Sequence, residues 1–228
     1  MTAPLSVVIP TLNALPGLGP VIGSLGPGLQ AGLIRDLVIS DGGSNDEIAA
    51  AAEGLGARLV TGPPGRGGQL RRGADAASGA WLLFLHADTL LPEGWPGAVA
   101  AHFAEAPDRA ASFRLAYDEA GFGARLVSGW ANLRTRLFAL PYGDQALLIS
   151  RRLYDAVGGY PDQPVMEDVA LARRLGRRRL RLLAPAVETS FEKYRREGWL
   201  RRGAKNWACL AQYYAGVDPE VIAARYRR

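Results

Sequence analysis

Trp81-Leu82-Leu83-Phe84-Leu85-His86-Ala87-Asp88-Thr89 is the stretch on which the reading of the fold turns. The apolar run from Trp81 to Leu85, set between Gly79 and Pro92, has the length of a strand buried on both faces, and the polar cluster falls where that strand ends. Ligands of open parallel sheets bind at the carboxyl edge of the strands. His86 and Asp88 are therefore expected at the rim of a crevice, pointing the same way if extended backbone persists that far. A strand followed by an ordinary Asp-Thr turn fits the same residues, so the decision rests on the flanking sequence.

Upstream, the pattern repeats. Leu5 to Pro10 is β-branched and apolar and ends at a proline, which cannot donate to a sheet ladder. Ile34 to Ser40 reads as a second strand, closed by Asp41-Gly42-Gly43-Ser44-Asn45-Asp46, and Ala57 to Thr61 as a short third. Between them, helices are predicted around Val21 to Leu25, from Asn45 to Leu55 behind a Ser44/Glu47 capping box, and from Gln69 to Ser78. Strands alternating with helices imply right-handed crossovers and a parallel sheet. No G-x-G-x-x-G follows the first strand and no G-K-[ST] follows any glycine loop, which disfavours dinucleotide dehydrogenases and P-loop NTPases.

Downstream the order is less regular. Helices are predicted over Trp95 to Glu105, Gly121 to Leu140, Arg151 to Val157 and from Glu167 to Leu175, with strands over Ala110 to Tyr117, Gln145 to Ser150 and Arg179 to Leu183. From Trp199 to Tyr214 an apolar stripe of Trp199, Gly203, Trp207, Leu210 and Tyr214 lies opposite Arg201, Arg202 and Lys205, an amphipathic pattern expected to pack on the domain.

Composition narrows the class. At 228 residues and 48% hydrophobic content the chain can build a core, and its one cysteine, Cys209, rules out an internal disulfide framework or a cysteine-based zinc site. Nothing approaches about 18 uninterrupted apolar residues, and the first ten residues lack a basic n-region, so the expectation is a soluble cytoplasmic protein. The net charge of +5 is unevenly spread: Arg173 to Arg228 carries fifteen Lys and Arg against five Asp and Glu, while the first 172 residues are net −5. A basic tail suits an anionic partner such as a membrane surface or a nucleotide phosphate, and no nucleic-acid-binding motif accompanies it.

Acidic residues end or follow the predicted strands at Asp41, Asp88 and Glu167-Asp168. Several carboxylates in one cleft are costly unless a cation or a proton-transfer role compensates. A divalent ion is the economical explanation, with Asp88 as a hard oxygen ligand, His86 as an added nitrogen ligand, and a nucleotide diphosphate completing the shell of Mg²⁺ or Mn²⁺.

With these residues in place the chain resembles the family 2 glycosyltransferases, in particular their small stand-alone bacterial members. The likeness rests on six ordered landmarks: Val7 to Asn13, Asp41 to Asp46, Gly65 to Gln69, Phe84 to Thr89, Gly143 to Gln145 and Met166 to Val169. It implies an α/β GT-A fold with a mainly parallel central sheet flanked by helices. The glycosyltransferase domain would span 1–185, divided into a nucleotide-binding half (1–92) and an acceptor half (93–185), followed by a helical tail (186–228). It also implies inverting, metal-dependent, non-processive transfer of a sugar from a nucleotide-diphosphate donor, UDP favoured, to a hydroxyl acceptor, with a lipid among the candidates. Carried over by position, Pro10, Thr11, Asn13, Asp41, Arg66 and Ala87 would bind the nucleotide, and Asp88 with His86 the metal. Asp168, with Glu167 as the alternative, would be the base, and Gly143, Asp144 and Gln145 would border the acceptor. A nucleotide-sugar-binding protein without catalysis and a nucleotidyltransferase are the competing readings.

Two positions depart from the family pattern. His86 stands where the first acid of its D-x-D is expected, and Gly42 where a second acid usually follows Asp41. The Q-x-x-R-W motif of processive synthases is also missing, since Lys193-Tyr194-Arg195-Arg196-Glu197-Gly198-Trp199 does not match it.

Overall fold

The computed structural model describes residues 3–226. Strands β1 (Leu5–Thr11), β2 (Ile34–Asp41), β3 (Arg58–Thr61) and β4 (Trp81–Phe84) pair in parallel in the order β3-β2-β1-β4. The chain leaves β1 on one side toward β2 and returns on the other as β4, so a crevice opens between the carboxyl ends of β1 and β4. The sheet then continues through the second half as β7 (Leu147–Ser150), β6 (Ala110–Tyr117), β8 (Leu180–Thr189) and β5 (Thr89–Leu90). Here pairing is mixed: β4 with β7, β7 with β6, and β8 with β5 run antiparallel, while β6 with β8 is parallel. The parallel reading therefore holds strictly only for the first four strands.

Period-two alternation builds the two layers. Leu5, Val7, Ile9, Leu83 and Leu85 face one side, where α1 (Leu15–Ser24) and α5 (Trp95–Glu105) cover them with Leu18, Val21, Trp95 and Val99. Val8, Val38, Leu82, Phe84 and Ile149 face the other, under α4 (Arg66–Ala76), α7 (Arg151–Ala156) and α8 (Glu167–Leu175). The tail forms α9 (Glu192–Glu197), α10 (Trp199–Tyr214) and α11 (Pro219–Tyr226), and Leu210 of α10 is buried against Leu140, Val169 and Ala172. Only part of the predicted stripe is covered, because Trp207 and Tyr214 remain half exposed.

Three elements differ from the sequence reading for identifiable reasons. Helix α3 covers only Ile48–Gly54, because the Ser44 hydroxyl donates to Asp41 and accepts from the Asn13 N–H instead of capping a helix. Helix α4 starts at Arg66, three residues early; Gly67 and Gly68 let the 161–163 loop lie against its first turn, where a Cβ on Gly67 would be 2.2 Å from the Pro161 carbonyl. Strand β8 runs on to Thr189, past the Leu183 end expected from sequence, since Pro185 falls within an irregularity between the Leu182 and Ala186 pairings with β6.

At the start of β4, Gly79 is the contact that lets β1 and β4 approach: a Cβ there would lie 2.6 Å from the Ser6 amide nitrogen and 2.7 Å from the Pro4 carbonyl oxygen. Backbone cannot yield as a flexible side chain can. Gly79→Ala should therefore cost about 2 kcal/mol, a melting-point drop of roughly 4 to 8 °C for a chain of this size. A wild-type melting curve would show that the strands have room to spare.

Candidate active site

The side of the crevice expected to take the nucleotide is built from loops that bind each other tightly. Asp41, at the end of β2, is buried and fully engaged: Oδ1 accepts from the Thr11 and Ser44 hydroxyls at 3.0 and 2.5 Å, and Oδ2 from the Gly43 and Ser44 N–H groups, both at 2.8 Å. Burial pushes its pKa up, but these four donors outweigh it and hold the carboxyl below its ordinary range. With four donors on its carboxylate, Asp41 acts here as a brace between β1 and β2. Asn13, in the left-handed region at φ 51°, takes part in the same brace by accepting from the Asn45 N–H at 2.8 Å. Gln69 locks the floor, donating to the Thr11 and Ser40 carbonyls at 2.7 and 3.1 Å. That explains Gly42, since a Cβ there would sit 3.0 Å from the Gln69 carboxamide carbon.

Across the crevice, four acidic residues from three separate segments gather about Arg66. Its Nε lies 3.8 Å from Glu167 Oε1. Enclosure works against the guanidinium charge, yet Glu167 first, then Asp168, Asp88 and Asp144, hold its pKa above the ordinary value. Arg66 thus offsets part of the charge of the acid cluster. Glu167, 2% exposed, is pushed up to about 7 by burial and by Asp168, with Arg66 opposing. Asp168 is raised by burial as well, against the Gly143 and Val169 N–H groups, which donate to its Oδ2 and Oδ1 at 2.9 and 2.7 Å. Both stand in the first turn of α8, directly after Met166, whose φ of 62° is a strained value for a non-glycine residue.

His86 and Asp88 stand just past the end of β4, at the rim of the crevice. His86 Nε2 is buried without a hydrogen-bond partner, and its ring packs on Gly143, where a Cβ would be 2.4 Å from that nitrogen. Burial, reinforced by the Arg66 charge, lowers the imidazole to about 3, so it is neutral. Asp88 is half exposed. Burial raises it; the neighbouring His86, Lys193 and Arg66 outweigh that and lower it. Because His86 is uncharged, the cations responsible are Lys193 and Arg66. Lys193 Nζ stands 3.6 Å from Asp88 Oδ2. No cluster of three or more His, Cys, Asp or Glu side chains suited to a metal occurs among the described residues. The open Asp88 carboxylate nevertheless fits a one-point attachment for a hard cation that takes its other ligands from a diphosphate and water.

The acceptor landmarks divide. Gly143 lines the cleft between His86 and Asp168. Asp144 is raised to about 6, chiefly by burial, and its Oδ1 has no hydrogen-bond partner. Gln145, in contrast, is fully buried and turned into the core: its amide donates to the Phe113 carbonyl at 3.1 Å and its oxygen accepts from the Thr135 hydroxyl at 2.7 Å. It positions the loop and does not border an acceptor. Pro10 and Ala87 line the approach between β1 and β4, the Ala87 carbonyl facing Gly17.

The sequence reading missed Lys193 and the wall beyond Asp144. That wall is a groove of about 390 Å³ between α6 (Phe122–Phe138) and α10, and Asp144, Tyr142 and Arg134 belong to its lining. A larger cavity of about 1010 Å³ lies between α5, α6 and β8 and contains none of the residues chosen from sequence.

Comparison with known proteins bears on the family and the fold. The family described as Glycosyl transferase family 2 matches residues 6–159. A PGL/p-HBAD biosynthesis glycosyltransferase of Mycobacterium bovis is 40% identical over 101 residues, 41% of this chain and 39% of its own length. Glucosyl-3-phosphoglycerate synthase of Mycobacterium tuberculosis is 35% identical over 97 residues, 39% of this chain and 30% of its own. The chain therefore spans less than half the length of either relative. A crystal structure of the Mycobacterium tuberculosis synthase with Mn²⁺, UDP and glucosyl-3-phosphoglycerate superposes with a TM-score of 0.55 at 25% identity, covering 82% of this chain and 70% of that one.

The raised carboxyls carry a pH signature. Glu167 goes from an ordinary 4.5 to about 7 on folding, and Asp144 from 3.8 to about 6. The folded state then holds more protons than the unfolded state in that window, so stability is full below the unfolded values and falls as pH rises through the folded ones. Urea unfolding of the wild type at pH 5, 6 and 7 should show this decline, and Glu167→Gln should flatten it. An identical slope in the variant would remove Glu167 as its source.

Proposed function

The chain belongs to the family 2 glycosyltransferases and has their GT-A fold, and on that premise we propose that it transfers a sugar from a nucleotide-diphosphate donor, UDP favoured, to a hydroxyl acceptor. The observation that carries this reading is the placement of Asp168 and Glu167 against Arg66 in the same cleft as the open carboxylate of Asp88. One end of the cleft can accept a proton near neutral pH, and the other can gather positive charge for a leaving diphosphate.

Asp168 is the base in this reading. Hydrogen bonds from Gly143 and Val169 fix its carboxylate, whereas Glu167 is more deeply buried and pairs with Arg66. Asp168 takes the proton of the acceptor hydroxyl, whose oxygen forms a bond to the anomeric carbon as the bond to the diphosphate oxygen breaks, with inversion. The electron pair leaves with the diphosphate, whose charge Arg66 and Lys193 help to neutralise. Mn²⁺ or Mg²⁺, when bound, would be held by Asp88 and would supply further charge neutralisation at the diphosphate. His86, neutral and packed on Gly143, keeps the acceptor loop in register with Asp168. The relative crystallised with Mn²⁺ and UDP supports the choice of donor and ion. Transfer is single-step and non-processive in this proposal: the Q-x-x-R-W motif is missing, and no helix among the described residues is long and apolar enough to cross a membrane.

Thermal unfolding with UDP and Mn²⁺ tests the donor site. A ligand at about 100 times its dissociation constant adds about 2.7 kcal/mol, a rise of roughly 5 to 10 °C here. Asp88→Asn should lose the Mn²⁺-dependent part. Asp168→Asn should keep the shift yet lose transfer by about 10² to 10⁴-fold. Donor binding without transfer to any hydroxyl acceptor would favour the inactive binder, and full activity in Asp168→Asn would transfer the base role elsewhere.

The basic tail, with Arg195, Arg196 and Arg201 exposed, we propose rests on an anionic bilayer. Vesicles containing phosphatidylglycerol should sediment the protein at low salt and release it at high salt. Equal binding to neutral phosphatidylcholine vesicles would overturn the electrostatic contact.

A further inference from the structure

The groove between α6 and α10 has a one-sided chemistry. Leu126, Val127, Trp130, Trp199, Leu200 and Trp207 form its walls, and the Trp130 and Trp207 rings meet at 5.2 Å between centroids, tilted by 40°. Its volume of about 390 Å³ lies inside the roughly 300 to 1,000 Å³ usual for small-molecule sites.

Two polar side chains along the groove, Arg134 and Asn206, are already engaged. Arg134 donates to the Leu140 carbonyl at 2.9 Å and lies 3.4 Å over the Tyr142 ring. The Asn206 amide donates to the Tyr194 hydroxyl at 3.1 Å, and its oxygen accepts from the Tyr226 hydroxyl at 3.2 Å. One buried oxygen in the lining has no partner, Asp144 Oδ1. It sits next to Gly143, whose N–H holds Asp168. The groove thus runs from an apolar mouth to a single unsatisfied acceptor beside the proposed base.

We propose that this groove is the acceptor subsite, and that it takes an uncharged molecule with an aliphatic or aromatic body hydroxylated at one end. The proposal rests on the glycosyltransferase reading, since it is the neighbouring Asp168 that makes the groove an acceptor site. One hydroxyl donated to Asp144 Oδ1 satisfies the orphaned oxygen and leaves a neighbouring hydroxyl to meet Asp168, while the body covers Trp130, Trp207 and Leu126, which are otherwise 37%, 50% and 49% exposed. An acidic acceptor would bring a third negative charge to Asp144 and Asp168. A sugar would find few free polar partners on these walls. The subsite belongs to both α6 and the tail, which assigns α10 a part in substrate selection.

Tryptophan fluorescence reads this directly, since three of the five tryptophans, Trp130, Trp199 and Trp207, line the groove. With the full chain in UDP and Mn²⁺, 2-naphthalenemethanol should quench them saturably, whereas glycerol and 3-phosphoglycerate at the same concentration should not. Leu126→Arg and, separately, Trp207→Ala change partly exposed positions and should each weaken the quench at least tenfold, with the UDP-dependent melting shift as a control for folding. Asp144→Asn should weaken 2-naphthalenemethanol more than 2-methylnaphthalene, which lacks the hydroxyl. Unsaturable quenching, stronger binding of glycerol or 3-phosphoglycerate, or an unaltered quench in Leu126→Arg would overturn the proposal. A missing UDP shift alongside saturable, Leu126-dependent quenching would support the apolar site and overturn the glycosyltransferase reading instead.

Discussion

The arrangement that organises this molecule is Arg66 held among Glu167, Asp168, Asp88 and Asp144. Four carboxyls in one cleft repel each other and lose hydration, and one guanidinium cannot balance them all. The imbalance is visible in opposite responses: Glu167 and Asp144 are pushed toward neutrality, while Asp88, near Lys193, stays ionised. Proton affinity and ion affinity are thereby separated across a single site. The fold sustains this tension through α4 and α8, whose first turns carry Arg66 and the Glu167-Asp168 pair, and through the 161–163 loop that Gly67 and Gly68 admit.

Much of that frame is legible in the sequence because it depends on local signals. Apolar runs ending in polar clusters locate β1, β2 and β4, and the turn-bounded acids locate Asp88 and Asp168. What fails is what depends on a partner far along the chain. Ser44 and Glu47 have the spacing of a capping box, but Asp41 and Asn13 compete for the Ser44 hydroxyl and win. Gln145 follows Gly143 and Asp144 in a landmark motif, yet the Phe113 carbonyl and Thr135 draw it into the core. The last strand reads as ending at Leu183, ahead of Pro185, until β6 supplies an irregular register that carries it on to Thr189.

Lys193 shows the same limit at the site itself. Within its basic run nothing marks it off from Arg195 or Arg196, and only the folding of α9 toward the rim brings its ammonium to Asp88. His86 is a further instance. As a residue type two positions from an aspartate it suggests a ligand, but the backbone of Gly143 sets where its ring can lie. Residue type proposes a chemistry, and the neighbour decides whether it is available.

Hydrogen-bond satisfaction then separates the two halves of the cleft. On the nucleotide side Asp41 and Gln69 are committed to the chain's own groups, so this side is a preformed and rigid wall. On the acceptor side His86 Nε2 and Asp144 Oδ1 are buried without partners, one packed against Gly143 and the other in the next residue. Buried polar atoms are seldom left unpaired, and each such exception calls for an explanation. A cleft whose donor wall is self-satisfied and whose acceptor wall is not leaves its unmet hydrogen bonds beside the proposed base. In the proposed reaction the molecule that completes the Asp144 contact is an acceptor that brings a hydroxyl to that point.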